Sequence, residues 1–319
     1  MNVVVQNHYP FITTGGHLFT NRESDIGFNL LKPWNDLFVA ADERGINMYT
    51  PDQMTALPHR PKQVADLLIM MDRPREELYP AKKKILIIYE PDMLIPENWD
   101  KAFHDTCDKV FTWDDRLVDN VKYFKNNFTA DLQNASPANL TREEFILRKP
   151  IVLMQTRKMH SHPNSLYGKR DNIIAFFESK ASGMFDLWGR NWQGHRTWKG
   201  AASNKMEVLK NYRFCIAFEN CNHARGYITE KMLDCLLAGV VPVYWGAPNV
   251  ADHIPPECFI DMRKYKFYED LLEFLNDITY EDYMKYMYAM QAYLASPQAE
   301  QFYNAHFVDM MLHHMEKLR

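Results

Sequence analysis

The sequence predicts an α/β protein made of two Rossmann-like, doubly wound domains. The chain has 319 residues, enough for two domains of ordinary size. Short apolar runs alternate with helix-type segments along both halves, as in parallel sheets covered on two faces. In the second half the alternation becomes an unbroken βαβαβαβ series, the doubly wound pattern.

In the first half the strand-type runs are Val3 to Val5, Ile46 to Tyr49, Leu67 to Met71, Ile85 to Tyr89 and Val110 to Trp113. Trp34 to Arg44 reads as a helix closed by Gly45, and Glu97 to Cys107 as another. The polar, Asn-rich stretch 125–149 reads as a bridge, giving an N-terminal domain over 1–149 and a C-terminal domain over 150–319. The second half runs strand Ile151 to Gln155, helix Leu166 to Ser179, strand Phe185 to Trp188 and helix Ser203 to Asn211, with Ser203 as N-cap. Strand Phe214 to Phe218, helix Thr229 to Ala238 closed by Gly239, and strand Val240 to Trp245 follow. From Tyr280 the chain reads as helix, interrupted near Ser296-Pro297, with terminal helices able to cross back to the first domain. Their Tyr/Met stripe (Tyr283, Met284, Tyr286, Met287, Met290, Tyr293) reads as core.

A net charge of -4 lacks the basic footprint of nucleic-acid binding. No run of about 18 apolar residues appears, so no membrane span is expected. The first residues lack the charged-then-apolar layout of a signal peptide. The scattered cysteines form no CxxC pair and read as reduced thiols of a cytoplasmic protein. Asn127, Asn134 and Asn139 head Asn-x-Ser/Thr triplets, which in that compartment are chance matches.

Two doubly wound domains imply a central cleft faced by the residues that follow the strands. The segment Phe214 to Gly246 carries the densest chemistry. Its first strand is apolar on both faces and ends in the polar pair Glu219-Asn220. A loop with Gly226 then leads into Thr229-Glu230-Lys231, which opens a helix. The free N–H groups and partial positive charge of a helix N-terminus suit phosphate, and Lys231 adds a full charge. Glu230 can accept hydrogen bonds from sugar hydroxyls. The bland alternative is a Thr cap followed by solvated charges.

Glu219-Asn220, Tyr227-Ile228-Thr229-Glu230-Lys231, Leu237-Ala238-Gly239-Val240-Val241-Pro242-Val243 and Trp245-Gly246 together resemble the donor-binding signature of the α1,3/α1,4-fucosyltransferases, glycosyltransferase family 10, in its soluble bacterial form. The dense match covers about 35 residues; the first 80 match nothing. The resemblance implies the GT-B architecture, with acceptor bound by the first domain and GDP-fucose by the second. It implies that Lys231 holds the diphosphate, Glu230 contacts the fucose hydroxyls, and Asn220 and Tyr227 hold the nucleotide side, with Glu219 beside them. Arg170, near the start of its helix, resembles the family's phosphate-binding arginine, and a guanidinium suits bidentate phosphate contact. Asn191 follows another strand tip and joins the donor candidates. The loop Cys221 to Gly226 is longer than in some bacterial relatives, and His223 and Arg225 receive no role.

Inverting transfer needs one general base, and a carboxylate at a strand tip is the expected group. Glu90 follows the strand Ile85 to Tyr89 and precedes Pro91; YEPDM resembles the short Glu-containing segment where the family's base is placed. Asp92 is the runner-up. No Asp-x-Asp pair occurs to hold a metal, so no cofactor and no obligatory metal are expected; cationic side chains take that role. His160 and His162 lack companions to complete a metal site. The expected partners are GDP-fucose and an N-acetyllactosamine-type glycan acceptor. Rival readings are a GT-B enzyme with another nucleotide sugar, or a binding protein without catalysis. His17, Phe19, Trp34 and His59 are aromatic candidates for the acceptor side, none singled out.

Overall fold

Both sheets of this computed structural model are parallel throughout and share one strand order. The structure describes residues 1–21, 29–57 and 64–319, which leaves His59 outside. The chain divides into two units, one comprising Met1–Thr129 with Phe302–Arg319, the other Ala130–Gln301.

The first unit holds β1 (Asn2–Asn7), β2 (Asn47–Tyr49), β3 (Ala65–Met71), β4 (Ala81–Ile88), β5 (Lys109–Thr112) and β6 (Tyr123–Lys125), in the order β2-β1-β3-β4-β5-β6. The two-residue period of a strand sorts its side chains onto two faces. Val3, Val5, Ile69, Ile85 and Ile87 join Leu37, Phe307 and Met311 in one cluster. Val4, Leu68, Met70, Leu86, Ile88 and Val110 join Met54 and Cys107 in the other. The first cluster is closed by the helices Lys32–Asp42 and Asn304–Lys317, where Trp34 meets Phe307 edge-on with ring centres 5.2 Å apart. Phe19 and Trp34 are therefore core residues, while His17 is exposed. The helix expected over Glu97 to Cys107 is broken: a 3-10 turn over Pro96–Trp99 ends at Asp100, whose carboxylate caps a new helix, Lys101–Asp105.

The second unit holds β7 (Lys149–Met154), β8 (Phe185–Trp188), β9 (Tyr212–Phe218), β10 (Val241–Trp245) and β11 (Ile260–Asp261), in the order β11-β10-β9-β7-β8. β9 is central, and Phe214 to Phe218 are buried. The helix Tyr167–Lys180 buries Ile173, Ile174 and Phe177, and Glu230–Ala238 buries Met232, Leu233 and Leu236. The helix expected from Ser203 begins at Lys205, because the Asn204 side chain takes the N–H groups of Met206 and Glu207. The polar bridge carries its own short helix, Arg142–Leu147, set by a Thr141/Glu144 capping box. Tyr283, Met284, Met287, Met290 and Tyr293 of the helix Tyr280–Leu294 are buried, so that stripe is core. All five cysteines are buried free thiols. Among the described residues no helix is long and apolar enough to cross a membrane.

In each unit the chain lays one strand to one side of its first strand, then reverses to build outward on the other. The reversal falls between β1 and β3 in the first unit and between β7 and β9 in the second. Sheets of this kind bind ligands beyond the strand ends at such a switch point.

Candidate active site

Beyond the carboxyl ends of β7 and β9, five of the donor candidates are joined by hydrogen bonds and ion pairs, and Tyr227 is tied in through Asn220. Glu219 is fully buried directly after β9, its own N–H donating to the Trp245 carbonyl at 2.8 Å. Its Oε1 accepts from the Thr229 N–H at 2.8 Å and its Oε2 from the Thr229 hydroxyl at 2.7 Å. Thr229 in turn caps the helix Glu230–Ala238. Lys231 Nζ stands 3.0 Å from Glu230 Oε1, 3.1 Å from Thr229 Oγ1 and 3.4 Å from Glu219 Oε2. The ammonium at the helix N-terminus is thus held between two carboxylates rather than left in solvent.

Burial pushes the Glu219 carboxyl above the ordinary value, with Lys231 opposing and Glu230 reinforcing that shift. Glu230 also loses solvent, yet the ammoniums of Lys231 and Lys205 hold its carboxyl down at about 2. Its side chain keeps 27% exposure, against none for Glu219, so Glu230 is the acid with a face open to a ligand. Lys205 pairs with the buried Asp234 at 2.5 Å. Lys205, Asp234 and the capping role of Thr229 in binding Glu219 were not legible as parts of a site, because each contact links segments separated in sequence.

Arg170 sits 3% exposed in the first turn of its helix. Its Nη2 donates to the carbonyls of Phe218 and Glu219 at 2.7 Å each and reaches Asn220 Oδ1 at 3.1 Å. The guanidinium therefore braces the tip of β9 and brings its charge there, while its buried Nε has no hydrogen-bond partner among the described residues. The Asn220 amide donates to the Tyr227 hydroxyl at 3.0 Å, so these two nucleotide-side candidates form a pair. Gly226 has φ +83, which only glycine adopts freely, and its N–H donates to Asn249 Oδ1 at 2.9 Å. At Gly246 a Cβ would lie 2.3 Å from the Glu219 Cγ and 2.4 Å from the Tyr244 hydroxyl. That glycine is required for Glu219 to stay where it is.

Asn191 stands apart from this cluster: it is exposed, with φ +68, in the loop after β8. His160 and His162 lie in the loop after β7, where the His162 N–H donates to His160 Nδ1 at 3.1 Å. The His162 ring is 5.6 Å from that of His223. Among the described residues no group of three or more His, Cys, Asp or Glu is placed to hold a metal ion.

Glu90 belongs to the first unit. It follows β4, half-buried, with its N–H donating to Asp72 Oδ1 at 3.1 Å. Asp92 is exposed and caps the N–H of Met93 at 2.9 Å.

The family model described as glycosyltransferase family 10 (fucosyltransferase), C-terminal part, matches residues 156–315, half of the chain. An α-(1,3)-fucosyltransferase of Helicobacter pylori is 35% identical over 92 residues, which are 28% of this chain and 17% of that protein. A GDP-fucose protein O-fucosyltransferase 3 of Gallus gallus is 35% identical over 89 residues, 26% of this chain and 18% of that protein. The chain thus spans under a fifth of these two relatives. A crystal structure of an α1,3-fucosyltransferase with GDP-fucose shares the fold with a TM-score of 0.56 at 17% identity, over 90% of this chain and 81% of that one. The two parallel-sheet units have the GT-B architecture, and the chain belongs to glycosyltransferase family 10, the fucosyltransferases.

Proposed function

We propose that this chain is an inverting fucosyltransferase that moves L-fucose from GDP-β-L-fucose to a hydroxyl of an N-acetyllactosamine-type glycan, in α1,3 or α1,4 linkage. One observation carries the reading: the family match covers the segment in which Glu219, Thr229, Glu230 and Lys231 interlock at the switch point of the second unit. Lys231 and the helix N-terminus beside it face the diphosphate, and Glu230 receives the fucose hydroxyls. Asn220 and Tyr227 take the nucleotide side, Arg170 fixes the strand tip and lends its charge, and Asn191 contacts the donor from the β8 loop.

Glu90 is the general base. The acceptor oxygen attacks the anomeric carbon of fucose from the side opposite the diphosphate, the carbon–oxygen bond to phosphate breaks, and the acceptor proton passes to Glu90. GDP departs with the bonding electrons. Donors fixed where that charge develops commonly supply the largest share of catalysis. No metal is obligatory in this scheme, because ammonium and guanidinium groups offset the leaving group's charge. The relatives named as α-(1,3)-fucosyltransferase and α-(1,4)-fucosyltransferase support the linkage, and the five buried free thiols fit a reducing, cytoplasmic setting.

Incubation with GDP-fucose and a panel of galactosides tests this. The expected product gains the mass of one fucose, with α configuration and a 3- or 4-linkage. Tight GDP binding without turnover on any acceptor would leave a binding protein, and preference for UDP would point to a different donor.

A further inference from the structure

At the adjoining carboxyl ends of β3 and β4 two buried polar side chains grip the peptide that carries Glu90. Asp72 follows β3, is 5% exposed, and takes φ +57, a left-handed conformation that costs a non-glycine residue about 1 kcal/mol or more. That backbone turns its carboxylate toward the end of β4. Asp72 Oδ1 accepts from the N–H of Tyr89 at 2.7 Å, the N–H of Glu90 at 3.1 Å and the side-chain amide of Asn98 at 2.6 Å. The Asp72 N–H donates to the Ile87 carbonyl at 2.8 Å, tying β3 to β4 at the same level.

Asn98 is fully buried, and its amide group is fixed by its partners. Its Nδ2 donates to Asp72 and also to the Glu90 carbonyl at 3.3 Å, while its Oδ1 accepts from the Arg73 N–H at 2.7 Å. The His104 ring holds the Asn98 carbonyl through Nε2 at 2.6 Å. Both the N–H and the C=O of Glu90 are therefore bound by side chains, although the residue lies beyond the last β4 ladder position. Burial, and then the charge of Glu90, push the Asp72 carboxyl up to about 7.

We infer that Asp72 and Asn98 form a positioning clip that fixes the backbone of Glu90 and so sets where its carboxylate meets the acceptor hydroxyl. The inference rests on the reading of Glu90 as general base. Misplacement of a catalytic group by about 1 Å costs on the order of a hundredfold in rate.

The test compares Asp72→Ala, Asp72→Asn and Glu90→Gln, alone and combined, in the full chain with GDP-fucose and a galactoside acceptor. Asp72→Ala is expected to lower kcat by about tenfold to a hundredfold with the KM for GDP-fucose unchanged. Asp72→Asn, whose amide oxygen can still accept from the N–H groups of Tyr89 and Glu90, restores most of it. In the Glu90→Gln background Asp72→Ala adds less than about twofold, since the group it positions has lost its function. An equal loss in both backgrounds would show a general structural role and overturn the clip, as would unchanged kcat in Asp72→Ala. Full turnover in Glu90→Gln removes the base assignment itself, and the clip with it, whatever Asp72 does. If Asp72→Ala does not fold, Asp72→Ser, whose short hydroxyl serves fewer of the three donors, replaces it with the same expectations.

Discussion

Replacing Lys231 with methionine separates what this ammonium does for the fold from the role proposed for it in the reaction. The substitution keeps the stem and removes the charge. At 3.0 Å from Glu230 and 3.4 Å from Glu219, an effective dielectric of about 20 gives each pair an attraction of about 5 kcal/mol before desolvation is counted. Removing one member of a buried pair typically costs about 3–5 kcal/mol. The lower end applies here, because Glu230 is partly open and retains Lys205. A loss of about 3 kcal/mol corresponds to a fall in the melting temperature of roughly 6–12 °C for a unit of this size. The carboxyl of Glu219 is already raised by burial, and without Lys231 it stays buried by binding a proton. A raised carboxyl stabilises the fold fully below its unfolded value, and that contribution is lost as pH rises through the folded value. The deficit of Lys231→Met should therefore grow as pH rises. The double variant Lys231→Met/Glu219→Gln should recover most of the stability, because the neutral amide can still serve Thr229. On the proposed reading, turnover should stay at least about a hundredfold down in both variants, since the leaving group would have lost its cation. Thermal scans across pH with initial-rate assays decide the matter. Lys231→Met with wild-type melting and wild-type turnover would refute the reasoning.

Arg170→Ala leaves the Phe218 and Glu219 carbonyls and Asn220 Oδ1 without their shared donor, and should cost about a hundredfold in turnover together with a lowered melting temperature; initial rates and a thermal scan check both. The Glu230 carboxyl, held at about 2 against an ordinary 4.5, contributes stability that is complete above the ordinary value and lost as pH falls through the folded one. Glu230→Gln should accordingly flatten the loss of stability on acidification, read from urea unfolding at stepped pH. Gly246→Ala forces a Cβ onto the Glu219 side chain and the Tyr244 hydroxyl, and should destabilise by about 1–3 kcal/mol with weaker GDP binding, measured by urea unfolding and calorimetry.

The fold was legible where the determinants are local. β9 could be read because five consecutive apolar residues serve a strand buried on both faces. The helix Glu230–Ala238 could be read because Thr229 and Gly239 mark its ends. The helix expected over Glu97 to Cys107 failed because Asp100 is itself a cap, and a cap inside an apolar period stops one helix and starts another. Strand order, and with it the position of each switch point, depends on pairings between distant segments that no local pattern encodes. The site divides the same way. Glu219, Asn220, Tyr227, Glu230 and Lys231 lie within one short stretch and stood out together. Asp72 and Asn98, 26 positions apart, meet only because β3 and β4 end side by side.

The interlocked charges of the second unit bear on how a diphosphate would be held in the proposed reaction. Arg170, Lys205 and Lys231 face Glu219, Glu230 and Asp234, and each cation's affinity for its proton is coupled to the acids around it. Such a lattice is nearly neutral before any ligand arrives, so it stores little repulsion and does not need a diphosphate in order to fold. Its acids hold the Lys231 ammonium in place at the helix N-terminus in advance. In the proposed reading, the leaving group therefore meets a cation that need not reorganise while the bond breaks, which is the condition under which a fixed charge favours the transition state most. The same burial shields the cation from salt, because screening acts chiefly on solvent-exposed charges. Donor binding governed by this lattice should depend only weakly on ionic strength, unlike binding drawn in by a basic surface patch.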